Sequence, residues 1–247
     1  MTYDPSRIRL FVEEDLDPGA LISLRLNQVH YLRSFMRQST HDHVLVFNGR
    51  DGEWRAEIAE LGRKSGRLIV AERQREQTVP PNLWLLFAPA KRVRLDFIGQ
   101  KATELGVSVI QPVFTERTAV SQFNAERLRA NAVEAAEQCW CLSVPEIRGA
   151  EKLGSILDNW PSTRRLIMCD EDGGASLSQV ISTGGEVGDQ WAVLVGPEGG
   201  FSADERTQLT RIPTLTRVGL GPRILRADTA AVAVLSFWQA LQGDWYT

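Results

Sequence analysis

The chain has 247 residues and 43% of them are hydrophobic, so it can bury one large core or two modest ones without disulfides or a structural metal. Its formal net charge of -3 excludes a protein that coats nucleic acid through bulk positive charge, although a local basic patch is compatible with it. The three cysteines form no CxxC pair, no segment is as long and apolar as a membrane span, and the first residues lack the features of a signal peptide, which together predict a cytoplasmic protein without metal or membrane.

The first 77 residues alternate apolar and polar side chains in short segments, which predicts a small β-barrel. The predicted strands and hairpin loop are residues 7–12, 42–47, 53–61 and 67–72, with the loop at 48–52. Val29, Leu32 and Met36 recur at helical spacing, so residues 30–38 are predicted to form one short helix against the barrel. Eleven of the twelve positive residues before Pro80 are arginines, which suit RNA contacts, although a solvated surface of mixed charge explains the charge alone at least as well.

The paired prolines Pro80 and Pro81 interrupt both strand and helix patterns, so we place the domain boundary after residue 77. Beyond it, apolar runs alternate with helical patterns, which predicts a parallel α/β sheet covered on both faces. The predicted strands are residues 83–88, 109–114, 166–169, 191–195 and 216–220, and the predicted helices are residues 94–105, 125–138, 153–159, 204–209 and 228–241. The last helix is apolar over much of its circumference, so it must be buried in the domain or in a dimer interface.

Ligands of open α/β sheets bind beyond the carboxyl ends of the strands, and two glycine-containing loops lie at such positions. The first, residues 195–202, reads Val-Gly-Pro-Glu-Gly-Gly-Phe-Ser and exposes backbone amides that can wrap a flat ligand. Ser202 and Glu205 have the spacing of a capping box, which predicts that a helix begins where this loop ends.

The second loop, residues 219–229, places Arg223 and Arg226 three apart among apolar residues. An arginine in such surroundings needs an anionic partner. We expect that partner to be RNA phosphate, a ligand carboxylate or, as a purely structural alternative, Asp228 and Glu198. Neither loop has the spacing of a P-loop or of a Rossmann dinucleotide site, which excludes those two nucleotide-binding classes.

Six short segments carry a further pattern. They are Leu194-Val-Gly-Pro-Glu-Gly-Gly-Phe-Ser202, Leu220-Gly-Pro-Arg-Ile-Leu-Arg-Ala-Asp-Thr-Ala230, His30-Tyr-Leu-Arg33, Lys101-Ala-Thr-Glu-Leu-Gly106, Thr115-Glu-Arg117 and Ala135-Ala-Glu-Gln-Cys139. In combination they closely resemble the RsmE family, the 16S rRNA (uracil(1498)-N(3))-methyltransferases of the SPOUT superfamily. The segments span nearly the whole chain, so the combination is highly specific although no single segment is.

The resemblance implies an enzyme that methylates N3 of uracil 1498 in the 16S rRNA of the small ribosomal subunit. It also implies a PUA-like β-barrel, residues 1–77, that helps to hold RNA, and a SPOUT α/β domain, residues 78–247, tied into a trefoil knot. In the superfamily the knotted loops bind S-adenosylmethionine (SAM), and the knots of two subunits meet in a homodimer. We therefore expect SAM as cofactor, and 16S rRNA and a second copy of the chain as partners.

The resemblance and the residue types also assign roles to individual positions. The expected cofactor contacts are Leu194, Gly196, Glu198, Gly199, Leu220, Ile224, Leu225 and Arg226, and the expected RNA contacts are Arg7, Arg9, Arg33, Arg37 and Arg117. Arg223 and Arg226 are expected to stabilise a uracil anion or to hold phosphate, because an arginine does not act as a base. Glu198 is the nearest carboxylate and the candidate base, but in a Gly-Pro-Glu-Gly turn it can equally accept backbone hydrogen bonds.

One segment departs from the family pattern, because Cys141 stands where the family commonly has a basic residue. This puts an RNA contact there in doubt, and the neighbouring Trp140 is expected to pack. The run Asp170-Glu-Asp172 is expected to form a solvated turn and not a metal loop. Two alternatives to uracil methylation remain open: ribose 2′-O-methylation of RNA, and an RNA-binding or ribosome-assembly factor without catalysis.

Overall fold

A computed structural model describes residues 8–89, 92–120, 122–183 and 189–245, so Arg7 lies outside the described residues. The chain divides into two compact units. The first contains the described residues up to Val79 together with Ala136–Ser143, and the second contains Pro80–Ala135 and the described residues from Val144 onward. The sequence did not indicate that Ala136–Ser143 belongs to the first unit, because that segment shows no change in composition. No helix within the described ranges is long and apolar enough to cross a bilayer.

The first unit is built on one five-stranded sheet. Its strands are β1 (Arg9–Phe11), β2 (Leu21–Ser23), β3 (His43–Phe47), β4 (Glu53–Leu61) and β5 (Gly66–Arg75). They lie in the order β1-β3-β4-β5-β2, with β1 parallel to β3 and the other neighbours antiparallel. The four predicted strands are present. Strand β2 was not predicted, because three residues with only Ile22 buried give no alternation signal.

The helical segment of this unit differs from the prediction. It consists of α1 (Leu26–His30) and one π-helical turn (Tyr31–Phe35). Val29 and Leu32 are buried as predicted, but Met36 is exposed, so the prediction that Met36 packs against the barrel is wrong. The amide of Met36 donates to the carbonyl of Tyr31, five residues back, at 3.0 Å. This wider turn rotates the residues after Leu32 away from the core.

The second unit combines short parallel strands with helices. Its strands are β6 (Leu83–Phe87), β7 (Val109–Phe114), β8 (Glu146–Ile147), β9 (Glu151–Lys152), β10 (Arg165–Cys169), β11 (Ala175–Ser176), β12 (Trp191–Val195) and β13 (Leu215–Gly219). The helices are α2 (Arg92–Glu104), α3 (Ala125–Gln138, whose last residues belong to the first unit), α4 (Leu153–Asp158), α5 (Leu177–Thr183), α6 (Ala203–Leu209) and α7 (Ala227–Leu241). The sheet order is β11-β13-β10-β12-β6-β7-β8, with β9 beside β7, and every pairing is parallel. The predicted parallel α/β sheet is confirmed; only the short β8, β9, β11 and α5 were not predicted.

The central strands of this sheet are buried on both faces. In β12, Val193 packs into one core cluster and Leu194 into another, and Leu85 and Leu86 of β6 are divided in the same way. This explains why these strands are continuous apolar runs in the sequence. Helix α7 buries one apolar side in the cluster of Val193, whereas Phe237 is half exposed.

Three neighbouring strands of the second unit, β13, β10 and β12, end at the same edge of the sheet because they are parallel. The two predicted glycine loops leave the sheet at this edge, after β12 and after β13. The trefoil knot that the resemblance implies stays a prediction, because the order of strands does not record which segment passes through which loop.

Candidate active site

A cavity of about 480 Å³ opens where β10, β12 and β13 end. Its lining residues are 169–171, 173, 195–199, 220–227 and 230. Both predicted loops therefore reach one cavity, and every expected cofactor residue lines it except Leu194. The side chain of Leu194 is buried in a core cluster and does not face the cavity, whereas the adjacent Val195 lines it.

The loop after β12 is held by the predicted capping box, which the structure confirms. The amide of Glu205 donates to Ser202 Oγ at 3.2 Å, and the amide of Ser202 donates to Glu205 Oε2 at 2.9 Å. The other carboxylate oxygen of the buried Glu205 accepts the amide of Glu116 at 2.8 Å, so the segment after β7 is tied to the same helix start. These hydrogen bonds hold the start of α6, so they also fix the position at which the glycine loop ends.

Two glycines of this loop, Gly196 and Gly200, are favoured by their surroundings or their backbone conformation. A β-carbon on Gly196 would lie 2.7 Å from the ring of Phe201, and one on Gly200, where φ is 65°, would overlap the carboxylate of Glu171. Gly199 is contacted by Arg117, whose Nη1 donates to the Gly199 carbonyl at 2.6 Å. Packing against Phe201 therefore requires glycine at position 196, and the left-handed backbone favours it at position 200, whereas Gly199 makes only ordinary contacts.

The loop after β13 presents two exposed arginines at the cavity. Arg223 and Arg226 are both exposed, and neither makes a hydrogen bond or ion pair within the part of the chain that the structure describes. The structural alternative, pairing with Asp228 or Glu198, is therefore not what these residues do. Their exposure removes the desolvation cost expected from the apolar sequence around them. Both guanidinium groups remain available to a ligand.

A third wall of the cavity, after β10, was not predicted. The side chain of Asp170 is fully buried, and it accepts hydrogen bonds from Arg206 of α6 and from Arg217 Nε of β13, the latter at 2.8 Å. The expectation of a solvated turn is therefore wrong for Asp170, because two cations from distant parts of the chain replace its water. Glu171 follows it directly and lines the cavity. No group of three potential ligands that could hold a metal ion was found among the described residues, and no metal is assigned.

Two neighbouring acids in this wall have pKa values that are shifted in opposite directions. Burial alone would raise the pKa of Asp170, but hydrogen bonds from Arg206 and from the Asp172 amide, with the charges of Arg206 and Arg217, hold that pKa below its ordinary value. Burial, with the nearby Asp170 charge, raises the pKa of the Cys169 thiol to about 12. Asp170 is therefore an anion at neutral pH, and Cys169 is a protonated thiol that does not act as a nucleophile.

The expected RNA-binding arginines occupy different environments. Arg33 and Arg37 are exposed on and just after the π-helical turn, beside the exposed aromatic residues Tyr31 and Phe35. Arg117 is exposed next to the glycine loop in the second unit. These three guanidinium groups can reach a nucleic acid from solvent.

Arg9 does not fit the RNA-binding prediction. It is 4% exposed, and its Nε donates to Glu53 Oε1 at 2.6 Å. Its other nitrogens donate to the carbonyls of Ala136, Glu137 and Cys141 at 2.6 to 3.0 Å. The prediction that Arg9 contacts RNA is therefore wrong. Its guanidinium is buried and donates to Glu53 and to backbone carbonyls at and just after the C-terminal end of α3.

Comparison with known proteins agrees with this architecture. The RNA methyltransferase domain family matches residues 77–239, and the RNA methyltransferase PUA domain family matches residues 25–71. A ribosomal RNA small subunit methyltransferase E of Rickettsia conorii is 29% identical over 92% of this chain and 93% of its own length, and one of Synechocystis is 30% identical over 94% and 77%. A crystal structure of the Neisseria gonorrhoeae methyltransferase E bound to S-adenosyl methionine superposes with a TM-score of 0.87, at 28% identity, covering 96% of this chain and 99% of that one.

These matches cover both units of the chain. They confirm the predicted α/β fold, with an RNA methyltransferase domain preceded by a PUA domain. The segments that carried the resemblance include both loops of the cavity. The chain belongs to the ribosomal RNA small subunit methyltransferase E family, a family of RNA methyltransferases.

Proposed function

We propose that this protein transfers a methyl group from SAM to N3 of uracil 1498 in the 16S rRNA of the small ribosomal subunit, in the cytoplasm. The observation that carries the proposal is the cavity at the carboxyl ends of β10, β12 and β13, with two exposed arginines that have no protein partner in the described residues. Cationic groups without partners at a cavity indicate a site for an anionic or charge-developing ligand.

The residues of the cavity fit SAM. A volume of about 480 Å³ lies in the range of small-molecule sites, and the glycine loops offer backbone donors and acceptors to a flat ligand. Glu171 and Glu198 supply carboxylates at the same cavity for the positive groups of such a ligand. When bound, SAM supplies an electrophilic methyl group on its sulfonium.

Side chains of the protein carry out the other steps of the reaction. N3 of a paired uracil is held in a base pair, so the enzyme must receive an unpaired or flipped base. As N3 loses its proton, negative charge develops on the uracil, and we assign its stabilisation to Arg223 and Arg226. Glu198, exposed at the cavity, is the proposed acceptor of that proton.

In the first unit, the proposed RNA contacts are Arg33 and Arg37 with the aromatic rings beside them. Phe35 is 70% exposed and Tyr31 39%, and both lie on the same π-helical turn as Arg33. Unpaired bases stack on aromatic side chains, and arginine binds the phosphates between them. Arg117 is the proposed contact in the second unit.

A homodimer is part of the same proposal. In the second unit Ile224 is 86% exposed in the loop that carries the arginines, and Phe237 is half exposed on α7. Large apolar side chains in such positions favour burial against a partner surface, which we infer to be a second copy of the chain. Light scattering at micromolar concentration should give the mass of a dimer; a monomer would contradict this part of the proposal.

The function is tested with methyl-labelled SAM and small subunits from a strain that lacks the modification. The product is digested and its nucleosides are identified by mass spectrometry. N3-methyluridine at the expected nucleotide supports the proposal. If the product is a ribose-methylated nucleoside, the activity is 2′-O-methylation. If the protein binds the subunit but transfers no methyl group, it is a non-catalytic binding factor.

A further inference from the structure

Two cysteines lie in contact in the segment that follows α3. The Sγ atoms of Cys139 and Cys141 are 3.4 Å apart, and both residues are partly exposed and form no disulfide. The proposed methyl transfer uses neither of them. The pair is spaced by a single residue and so does not match the CxxC pattern of redox-active cysteines.

The backbone between the two cysteines has an unusual conformation that the surroundings enforce. Trp140 has a φ of 63°, in the left-handed region that a bulky residue rarely adopts. Arg75 Nη1 donates to the Trp140 carbonyl at 3.1 Å, and Arg9 Nη2 donates to the Cys141 carbonyl at 2.8 Å. Arg9 also lies over the Trp140 ring, 5.3 Å from its centroid. Two arginines of the same unit therefore hold the turn in which the two sulfur atoms, those of Cys139 and Cys141, meet.

We propose that Cys139 and Cys141 are a reversible oxidation site, at which hydrogen peroxide produces an intrachain disulfide. One thiolate attacks a peroxide oxygen and becomes a sulfenic acid, while the other oxygen leaves as hydroxide. The second thiolate then attacks the sulfenic sulfur, the S–S bond forms, and hydroxide leaves again. Two thiols and one peroxide thus give one disulfide and, with the two thiol protons, two water molecules.

The geometry favours this reaction over oxidation at isolated thiols. The sulfur atoms must approach from 3.4 Å to a bond length of about 2.0 Å, which requires only small side-chain movements. Since the turn is already fixed, little conformational entropy is lost when the bond forms. A ring closed over a single intervening residue is strained, and strained disulfides are readily reduced by thiols, which makes the modification reversible.

The full-length protein, first fully reduced, is treated with hydrogen peroxide, alkylated and digested with trypsin. Residues 130–148 form one tryptic peptide with both cysteines and without Cys169. We expect this peptide to lose two hydrogen atoms, to take up no alkylating label, and to recover both labels after dithiothreitol. The same reaction in the urea-unfolded chain should be at least roughly tenfold slower, because the pair is then no longer held together.

The single variants provide the controls. Cys139→Ser and Cys141→Ser should each abolish the loss of two hydrogens, whereas Cys169→Ser should retain it. Equal rates in the folded and unfolded chains would overturn the proposal, because the folded geometry would then contribute nothing. Full alkylation of both thiols after peroxide treatment, uptake of oxygen in place of hydrogen loss, or a disulfide between two molecules would also overturn it.

Discussion

Arg9 in the first unit and Arg226 in the second are both arginines within segments that suggest RNA binding, and the structure gives them opposite environments. Arg9 is buried and divides its guanidinium among Glu53 and three backbone carbonyls. Arg226 is exposed at a cavity and has no partner among the described residues. A guanidinium whose donors are occupied stabilises the fold, whereas one that faces a cavity keeps its charge for a ligand. Residue type alone does not separate these two cases.

The largest expected effect is on stability, from Arg9→Ala. Glu53 is 0% exposed and would lose the 2.6 Å hydrogen bond to Arg9, leaving, among the described residues, the more distant Arg75 at 3.7 Å. Removing one partner of a buried ion pair costs about 3–5 kcal/mol in the free energy of unfolding. Urea denaturation of the variant and the wild type measures the difference.

The matched control for this variant is Arg25→Ala. Arg25 pairs with Glu13 at 3.0 Å, but both side chains are more than half exposed. An exposed pair contributes at most about 1 kcal/mol, so this variant should unfold close to the wild type. If Arg9→Ala were as stable as the wild type and bound RNA less well, Arg9 would be an RNA contact and not a residue that stabilises the fold.

The next effect is on catalysis, from Arg226→Ala. If Arg226 stabilises the uracil anion as proposed, its loss should lower kcat by roughly a hundredfold to a thousandfold. The Tm should change little, because Arg226 has no partner among the described residues. Single-turnover methylation of small subunits gives the rate, and a thermal melt gives the stability. Arg211→Ala, an exposed arginine outside this cavity, is the control and should retain the wild-type rate. An unchanged kcat for Arg226→Ala would remove this residue from the proposed chemistry.

The same contrast shows which features of the structure can be predicted from the sequence. Most of the strands, both glycine loops and the Ser202–Glu205 cap were predicted because each depends on residues close together in the chain. Asp170 and Arg9 were misassigned because their partners come from remote segments: Arg206 and Arg217 for one, and the end of α3 for the other. Such pairs leave no local sequence pattern. In the sequence, a run of carboxylates that is buried against cations therefore looks the same as a run that forms a solvated turn.

A smaller effect is expected from Asp170→Asn, and it should depend on pH. The folded pKa of Asp170 is below the unfolded value, so its contribution to stability is present above about pH 4 and is lost as the pH falls through the folded pKa. Near neutral pH the variant should lose about 1.5–3 kcal/mol, because hydrogen bonds to a charged group are replaced by weaker ones. Urea midpoints at about pH 7 and about pH 3 measure this, and the difference between variant and wild type should shrink at the lower pH. A pH-independent difference would contradict the assignment of the stabilising charge to Asp170.

The smallest effect is expected from Arg33→Ala. This variant tests whether an exposed arginine of the first unit binds RNA phosphate, which the buried Arg9 does not. Arg33 has no partner among the described residues, so Tm should be unchanged. Each phosphate contact on single-stranded RNA contributes about 0.7 to the slope of log affinity against log salt, so the variant should lose about that much. Filter binding to the rRNA segment across a salt series measures the slope. Arg63→Ala, exposed in the turn between β4 and β5, should leave it unchanged. If both variants lost the same slope, the first unit would attract RNA through general charge, and the π-helical turn would have no special part in binding.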